Sequence, residues 1–270
     1  LGYLFRKFKL FAPQEVVTLR KFVVRVTIPF IIFKNLYTAD ISSVSQLAPS
    51  ALALLLITSL YALATSALAG LITRERSLRN SFIFATTFGN YAYLGWGVMW
   101  AFYGESGFSR ALFFTIFFWP VVLLVGFATI LLITRRGGDR ETGSLNLGML
   151  LVKNALPPLL TAGLALCLNW YRVPVPALLW ELITKFAAIT IPLILFTIGL
   201  SLSFALDRTR LKTIILGSLT RILPGVLIGI VAMLMVNLLF TLDPLTKRVI
   251  VLQSVMPTAA TSPFFSDHIS

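Results

Sequence analysis

Two short stretches hold the residues best suited to chemistry. TTFGNYAYLGWGV sets Gly89, Gly95 and Gly97 around Asn90, Tyr91 and Tyr93, and QSVMPTAATSPFF sets Pro257 and Pro263 around Thr258, Thr261 and Ser262. Glycine loosens a helix, while proline removes an amide donor and clashes with the preceding turn, so both stretches predict interrupted helices with freed carbonyls and amides. A side-chain amide such as that of Asn90 both donates and accepts. The chemistry on offer is therefore hydrogen-bonded capture of a small polar group rather than bond making. The competing reading is that these glycines and prolines only permit kinks and close packing. With one cysteine, Cys167, and one histidine, His268, the chain assembles neither a disulfide framework nor a His/Cys metal site. No His-Glu-x-x-His, Gly-x-Ser-x-Gly or phosphate-binding Gly–Lys loop occurs, so no enzyme class, cofactor or metal is expected.

Four charges fall inside apolar runs, where a charge at a helix centre costs about 2.5–3.5 kcal/mol. Arg25 is near a span end and reads as a snorkelling side chain. Glu181 and Lys185 are one helical turn apart and read as a structural pair. Arg221, in GSLTRILPGV, has no carboxylate within its helix. It is the best cation either for attracting an anion or for bonding the exposed carbonyls of a broken helix, with snorkelling as the alternative.

The elements that must position these residues are membrane helices. At 57% hydrophobic residues, 12% charged and mean hydropathy +0.90, 270 residues cannot hide their apolar side chains in one water-soluble core. The net charge of +13 is spread in short clusters between apolar runs, which argues for membrane orientation and against nucleic acid. Eight candidate spans of about twenty residues follow from a bilayer core of about 30 Å: roughly 19–37, 47–72, 81–103, 109–133, 156–170, 177–204, 213–240 and 249–265. No ten-residue alternating pattern suggests a barrel, so the fold class is all-α. Alternate loops hold fifteen basic residues, and the others only Lys34, Arg110, Arg172, Lys247 and Arg248. The rich loops are cytoplasmic by the positive-inside rule, which sets Trp100, Trp170 and Trp180 near the outer interface.

TIPFIIF at residues 27–33 returns as TIPLILF at residues 190–196, 163 residues later. An odd number of crossings separates the two, so the repeat is inverted. The same shift carries span 47–72 onto 210–235 and the helix around Asn90 close to that around Pro257. It also carries 156–170 to before and across residue 1, and 109–133 just past residue 270. The expectation is a parent of ten helices in two inverted fives, about eight of them complete here. A first half spans 1–133, a cytoplasmic loop 134–155 and a second half 156–270. The opening LGYLFRKFKL, without methionine or signal peptide, fits a truncated start. Inverted repeats with broken helices build sites that open alternately to each side of a membrane.

The segments LGYLFRKFKLFAPQEVVTLRKFVVRVTIPFIIFKNL, FGNYAYLGWGV, IPLILFTIGLSL and VMPTAATSPF together resemble the auxin efflux carrier family of membrane transport proteins, along essentially the whole chain. The family includes plant auxin exporters and bacterial dicarboxylate exporters, and its fold is similar to that of bile-acid and sodium–proton transporters. The resemblance implies two broken helices crossing at a substrate site, with Asn90 and Pro257 at the two crossover positions. Two departures stand out: the family usually has proline where Gly97 stands and often asparagine where Thr261 stands. The short RRGGDRETGSLN connection lacks the long loop of many plant members and suggests a bacterial inner membrane. The expected function is secondary transport of a small organic anion, auxin-like or a dicarboxylate, exported under the membrane potential. The candidate substrate-binding residues are Asn90, Tyr91, Gly95, Gly97, Arg221, Pro257, Thr258, Thr261 and Ser262. The alternatives are a sodium- or proton-coupled symporter, with Gln253 and Ser254 as weak sodium ligands, a non-transporting ligand sensor, and an inactive fragment. The bilayer and the anion are the expected partners, and a homodimer is the candidate assembly.

Overall fold

A computed structural model describes residues 1–39, 45–72, 75–135, 156–201 and 208–258. Among them the chain is helical throughout, apart from turns, short unwound segments and one isolated antiparallel bridge.

The first helices are α1 (Gly2–Lys7), α2 (Pro13–Phe22) and α3 (Ile28–Tyr37), with one π-helical turn, Val23–Thr27, joining α2 to α3. Pro13 opens α2 at a position where a missing N–H costs nothing, and Glu15 reaches back to the Ala12 amide at 2.6 Å. The π turn lies just ahead of Pro29, whose ring would press on the Arg25 carbonyl in a regular helix. There the Ile28 amide bonds the Val23 carbonyl, five residues back. Pro192, at the same place in the second TIP motif, is carried inside a continuous helix.

Next come α4 (Leu47–Ile72), α5 (Arg76–Thr87), a second π turn (Tyr91–Gly95), α6 (Trp96–Thr115) and α7 (Phe118–Arg135). The chain reverses within α6 at Gly104, whose φ of +62° suits glycine. As a consequence the Trp96 indole donates to the Thr115 hydroxyl at 2.9 Å, although a straight helix would separate them by about 28 Å. The irregular turn before α7 coincides with Pro120, which has no amide for the Ile116 carbonyl. The chain continues through α8 (Leu156–Trp170), α9 (Ala177–Ser201), α10 (Arg208–Leu239) and α11 (Pro244–Ser254).

Four described stretches are long and apolar enough to cross a membrane: Leu47–Gly70, Tyr91–Gly126 (counted through the Gly104 reversal), Ala177–Ser201 and Ser218–Leu239. The sequence predicts eight. Among the described residues the remaining apolar segments are divided or short, and 259–265 of the last expected span lies outside them. A π turn splits Pro13–Tyr37, α5 and α11 end at breaks, and α8 has 15 residues.

The helices pack in two groups. α1, α2, α3, α8 and α9 touch mainly one another, as do α4, α5, α6, α7, α10 and α11. Between the groups run the Lys34–Glu105 ion pair (2.9 Å), a bond from the Ser109 hydroxyl to Asn35 Oδ1 (3.3 Å), and the contact of Leu195 with Gly97. The two TIP helices meet directly, Thr190 donating its hydroxyl to the Thr27 carbonyl at 3.0 Å. α1 lies on α9 as α8 lies on α3, with Gly2 so close that an added Cβ would fall 2.3 Å from the Phe196 carbonyl oxygen. Arg6 and Arg20 bond the end of α9 at Leu200 and Ser201. Arg25 is exposed, as snorkelling requires, and Glu181 pairs with Lys185 at 2.6 Å. Trp100, Trp170 and Cys167 are on the outer surface of the bundle.

Candidate functional site

The site is a crossing of two unwound segments. α5 stops at Thr87, Phe88 is extended, and helical structure resumes at Tyr91. α11 stops at Ser254 and the chain continues irregularly to Thr258. The two segments run antiparallel: Gly89 pairs with Thr258, and the Asn90 amide donates to the Pro257 carbonyl at 2.6 Å. Asn90 and Pro257, widely separated in the chain, are thus bonded neighbours. The unwinding begins at Phe88, nine residues before Gly97, so the first break does not require proline at position 97.

Asn90 caps the resumed helix. Its Oδ1 accepts from the Leu94 amide at 3.4 Å, while its carbonyl accepts from Leu94 and Gly95 at 3.3 and 3.0 Å. The next amides, at the start of the π turn, lie at a helix N-terminus, where partial positive charge gathers and N–H groups lack intrahelical partners. Gly95 is buried against Gln253 of α11: an added Cβ would come within 2.2 Å of Gln253 Oε1. Gln253 is fully buried, and neither Oε1 nor Nε2 has a hydrogen-bond partner among the described residues. A buried amide left unpaired is costly.

Arg221 organises the other side of the crossing. It is 0% exposed, which removes the snorkelling alternative. Nε donates to the Met256 carbonyl at 2.9 Å, Nη1 to those of Thr86 and Thr87 at 2.7 and 3.1 Å, and Nη2 to the Tyr91 hydroxyl at 2.7 Å. Its guanidinium lies 3.8 Å from the centre of the Tyr61 ring, a cation–π contact. The Tyr61 hydroxyl in turn reaches the Arg221 and Ser254 carbonyls. Of the two roles read from the sequence, bonding of broken-helix carbonyls is the one whose partners are present here.

Close approach of α11 to α10 depends on Gly225 and Gly229. A Cβ at Gly225 would be 2.4 Å from the Tyr61 hydroxyl, and one at Gly229 2.1 Å from Ser254 Oγ. Ser254 Oγ already bonds the Gly225 and Val251 carbonyls at 2.7 and 2.6 Å. The start of α11 is fixed by Asp243, whose Oδ1 accepts from the Thr246 amide at 2.8 Å and whose Oδ2 pairs with Arg110 at 3.1 Å. Burial pushes the Asp243 carboxyl up, but the Thr246 bonds and the Arg110 charge outweigh it and hold the carboxyl below its ordinary 3.8.

A family model described as membrane transport protein matches residues 1–268, and with them every element of the crossing. The chain belongs to this family, the auxin efflux carrier family of membrane transport proteins. A protein described as an uncharacterized transporter from Methanothermobacter thermautotrophicus is 26% identical over 275 residues, covering 96% of this chain and 81% of that relative. This member of the membrane transport protein family is a multi-pass integral membrane protein.

Within that family frame, Asn90, Tyr91, Gly95, Pro257, Thr258, Arg221, Gln253 and Ser254 come together at the crossing. Gly97 sits beyond it, packed on Leu195, and Thr261 and Ser262 lie outside the described residues. Sequence reasoning missed Tyr61, Gly225, Gly229 and the carbonyls of Thr86, Thr87 and Met256. Two signals were available: Tyr61 is the sole aromatic residue in 26-residue α4, and Gly225–Gly229 has the small-xxx-small spacing of close membrane helix pairs.

Proposed function

We propose that this transporter carries a small organic anion across the bilayer by alternating access, with the crossing as its binding site and the membrane potential as its driving force. The observation that carries the reading is the juxtaposition at the break: a half-helix N-terminus capped by Asn90 beside the unpaired amide of Gln253. Both favour a polar, electron-rich guest, and neither is a fixed charge. The reading involves no catalytic step.

The driving force is argued from where carboxylates lie. Among the described residues, Glu105 and Glu181 are exposed, Asp243 caps a helix outside the bilayer core, and Glu15 and Glu75 lie at helix starts. None is a neutralisable group beside the crossing. An anion leaving a negative interior gains about 2.3 kcal/mol per charge per 100 mV without a coupling ion. The second reading, sodium symport, draws on Gln253 Oε1; its other candidate ligand, Ser254, already bonds two carbonyls.

We further read residues 1–133 and 156–270 as inverted halves joined by 134–155. The Thr27–Thr190 contact at the repeat spacing and the equivalent packing of α1 on α9 and of α8 on α3 support this. The proposed setting is a bacterial inner membrane, with a homodimer as the candidate assembly. The deciding experiment is flux of radiolabelled succinate and indole-3-acetate in proteoliposomes. An imposed potential should drive one of them at equal pH without sodium. Strict dependence on a sodium or proton gradient rejects the uniport reading, and binding without flux favours a sensor.

A further inference from the structure

Arg221 is a fully buried cation whose hydrogen-bond partners among the described residues are three carbonyls and one hydroxyl, none of them a carboxylate. Two of the carbonyls, Thr86 and Thr87, end α5; the third, Met256, lies two residues past the end of α11. A helix C-terminus carries about half a negative charge on its unsatisfied carbonyls. Two such ends converging on one guanidinium present about one negative charge to one positive charge. The arrangement is therefore close to neutral as a set, although each part alone would be expensive in lipid.

The geometry explains why the residue is arginine. Its three nitrogens point in fixed, coplanar directions, and each serves a different segment: Nη1 the end of α5, Nε the second unwound segment, Nη2 the Tyr91 side chain at the start of the π turn. Tyr61 covers one face of the guanidinium at 3.8 Å. Gly89 leaves room for it, since a Cβ there would be 2.3 Å from Nη2. A lysine ammonium has its three donors on one atom and cannot span segments that lie on different sides of a planar fork.

We propose that Arg221 is a positioning residue that holds both broken helices apart from their own continuation, fixing the site without touching the transported anion. The functional part of the proposal rests on the crossing being the transport site, but the clamp itself is testable without transport.

The test is amide hydrogen exchange on purified, detergent-solubilised full-length chain, comparing wild type with Arg221→Met and Arg221→Lys. Loss of charge-assisted bonds at both segments in Arg221→Met should speed exchange at Phe88–Tyr91 and at Val255, Met256 and Thr258 by about tenfold to a hundredfold, with α4 and α9 unchanged. Arg221→Lys should protect one segment and release the other. Uniform acceleration along the chain would overturn the proposal, as would wild-type protection of both segments in either variant. A paired flux measurement with succinate and indole-3-acetate should show KM raised more in Arg221→Met than in Arg221→Lys. If wild type moves neither probe, the transport reading fails while the exchange result still decides the clamp.

Discussion

Replacing Gln253 by methionine should make the empty protein more stable and less able to bind. The side chain is 0% exposed, and both of its polar atoms lack partners among the described residues. An unsatisfied buried polar group costs about 1–3 kcal/mol, whereas a volume-conserving swap to an apolar residue costs less than about 1.5 kcal/mol. The expected net gain is about 1–2 kcal/mol. At about 2–4 °C per kcal/mol for a chain of this size, Tm should rise by about 2–8 °C. Intrinsic-fluorescence melting in detergent, with and without 10 mM succinate or indole-3-acetate, measures both effects. Wild type should gain stability with the probe it recognises, and Gln253→Met should not. A Tm that falls in the variant would refute the reasoning, because the amide would then be satisfied in the folded state. The neighbouring contact offers a control. Gly95→Ala drives a Cβ into Gln253 and should destabilise by about 1–3 kcal/mol, and combining it with Gln253→Ser should recover part of that loss.

Asn90→Ala should abolish most flux while membrane insertion stays intact and stability drops by about 0.5–2 kcal/mol, the range for a lost helix cap; normal flux would make Asn90 a packing residue. Pro257→Ala restores an amide beside the second break and should weaken probe binding in a titration; unchanged affinity would show that the proline does not shape the site. Asp243 has a folded-state pKa below 3.8, so its stabilising effect is complete above the unfolded value and lost as pH falls through the lower folded one. Asp243→Asn should therefore lower Tm at pH 7, and the gap to wild type should close below about pH 4; a gap that widens on acidification would contradict the assigned shift.

Much of the fold was readable because bilayer and helix each impose a simple period. Apolar length marked the spans, and Gly89 and Pro257 marked breaks within a residue or two of where the chain unwinds. Gly104 was legible as a boundary between Tyr103 and Ser109, though not as a reversal tight enough to bring Trp96 to Thr115. The π turns at Val23–Thr27 and Tyr91–Gly95 were not legible, since a hydrogen bond five residues back leaves no compositional mark. The site was half visible for a related reason. That Arg221 lacks a carboxylate in its own helix is a local fact, but its partners lie 35 to 135 residues away, and only the packing register of α10 on α4, α5 and α11 selects them. Gln253 against Gly95 is another such case: each residue was noticed, but not their contact.

The buried arginine also has a consequence for biogenesis. Ribosomes deliver α10 to the membrane before Met256 exists, so Arg221 enters lipid when only Tyr61, Thr86, Thr87 and Tyr91 are there to receive it. The most apolar 18-residue window of Ser218–Leu239 has a mean hydropathy of 2.5, against 2.0 for that of each of the other three long spans. That surplus acts against the roughly 2.5–3.5 kcal/mol that an arginine adds to insertion. α10 should thus enter first and dock on α4 and α5, with the second unwound segment closing over the guanidinium last. Polar substitutions on the lipid face of α10 would then act during synthesis, showing up as chains that fail to reach the membrane rather than as inserted transporters with altered flux.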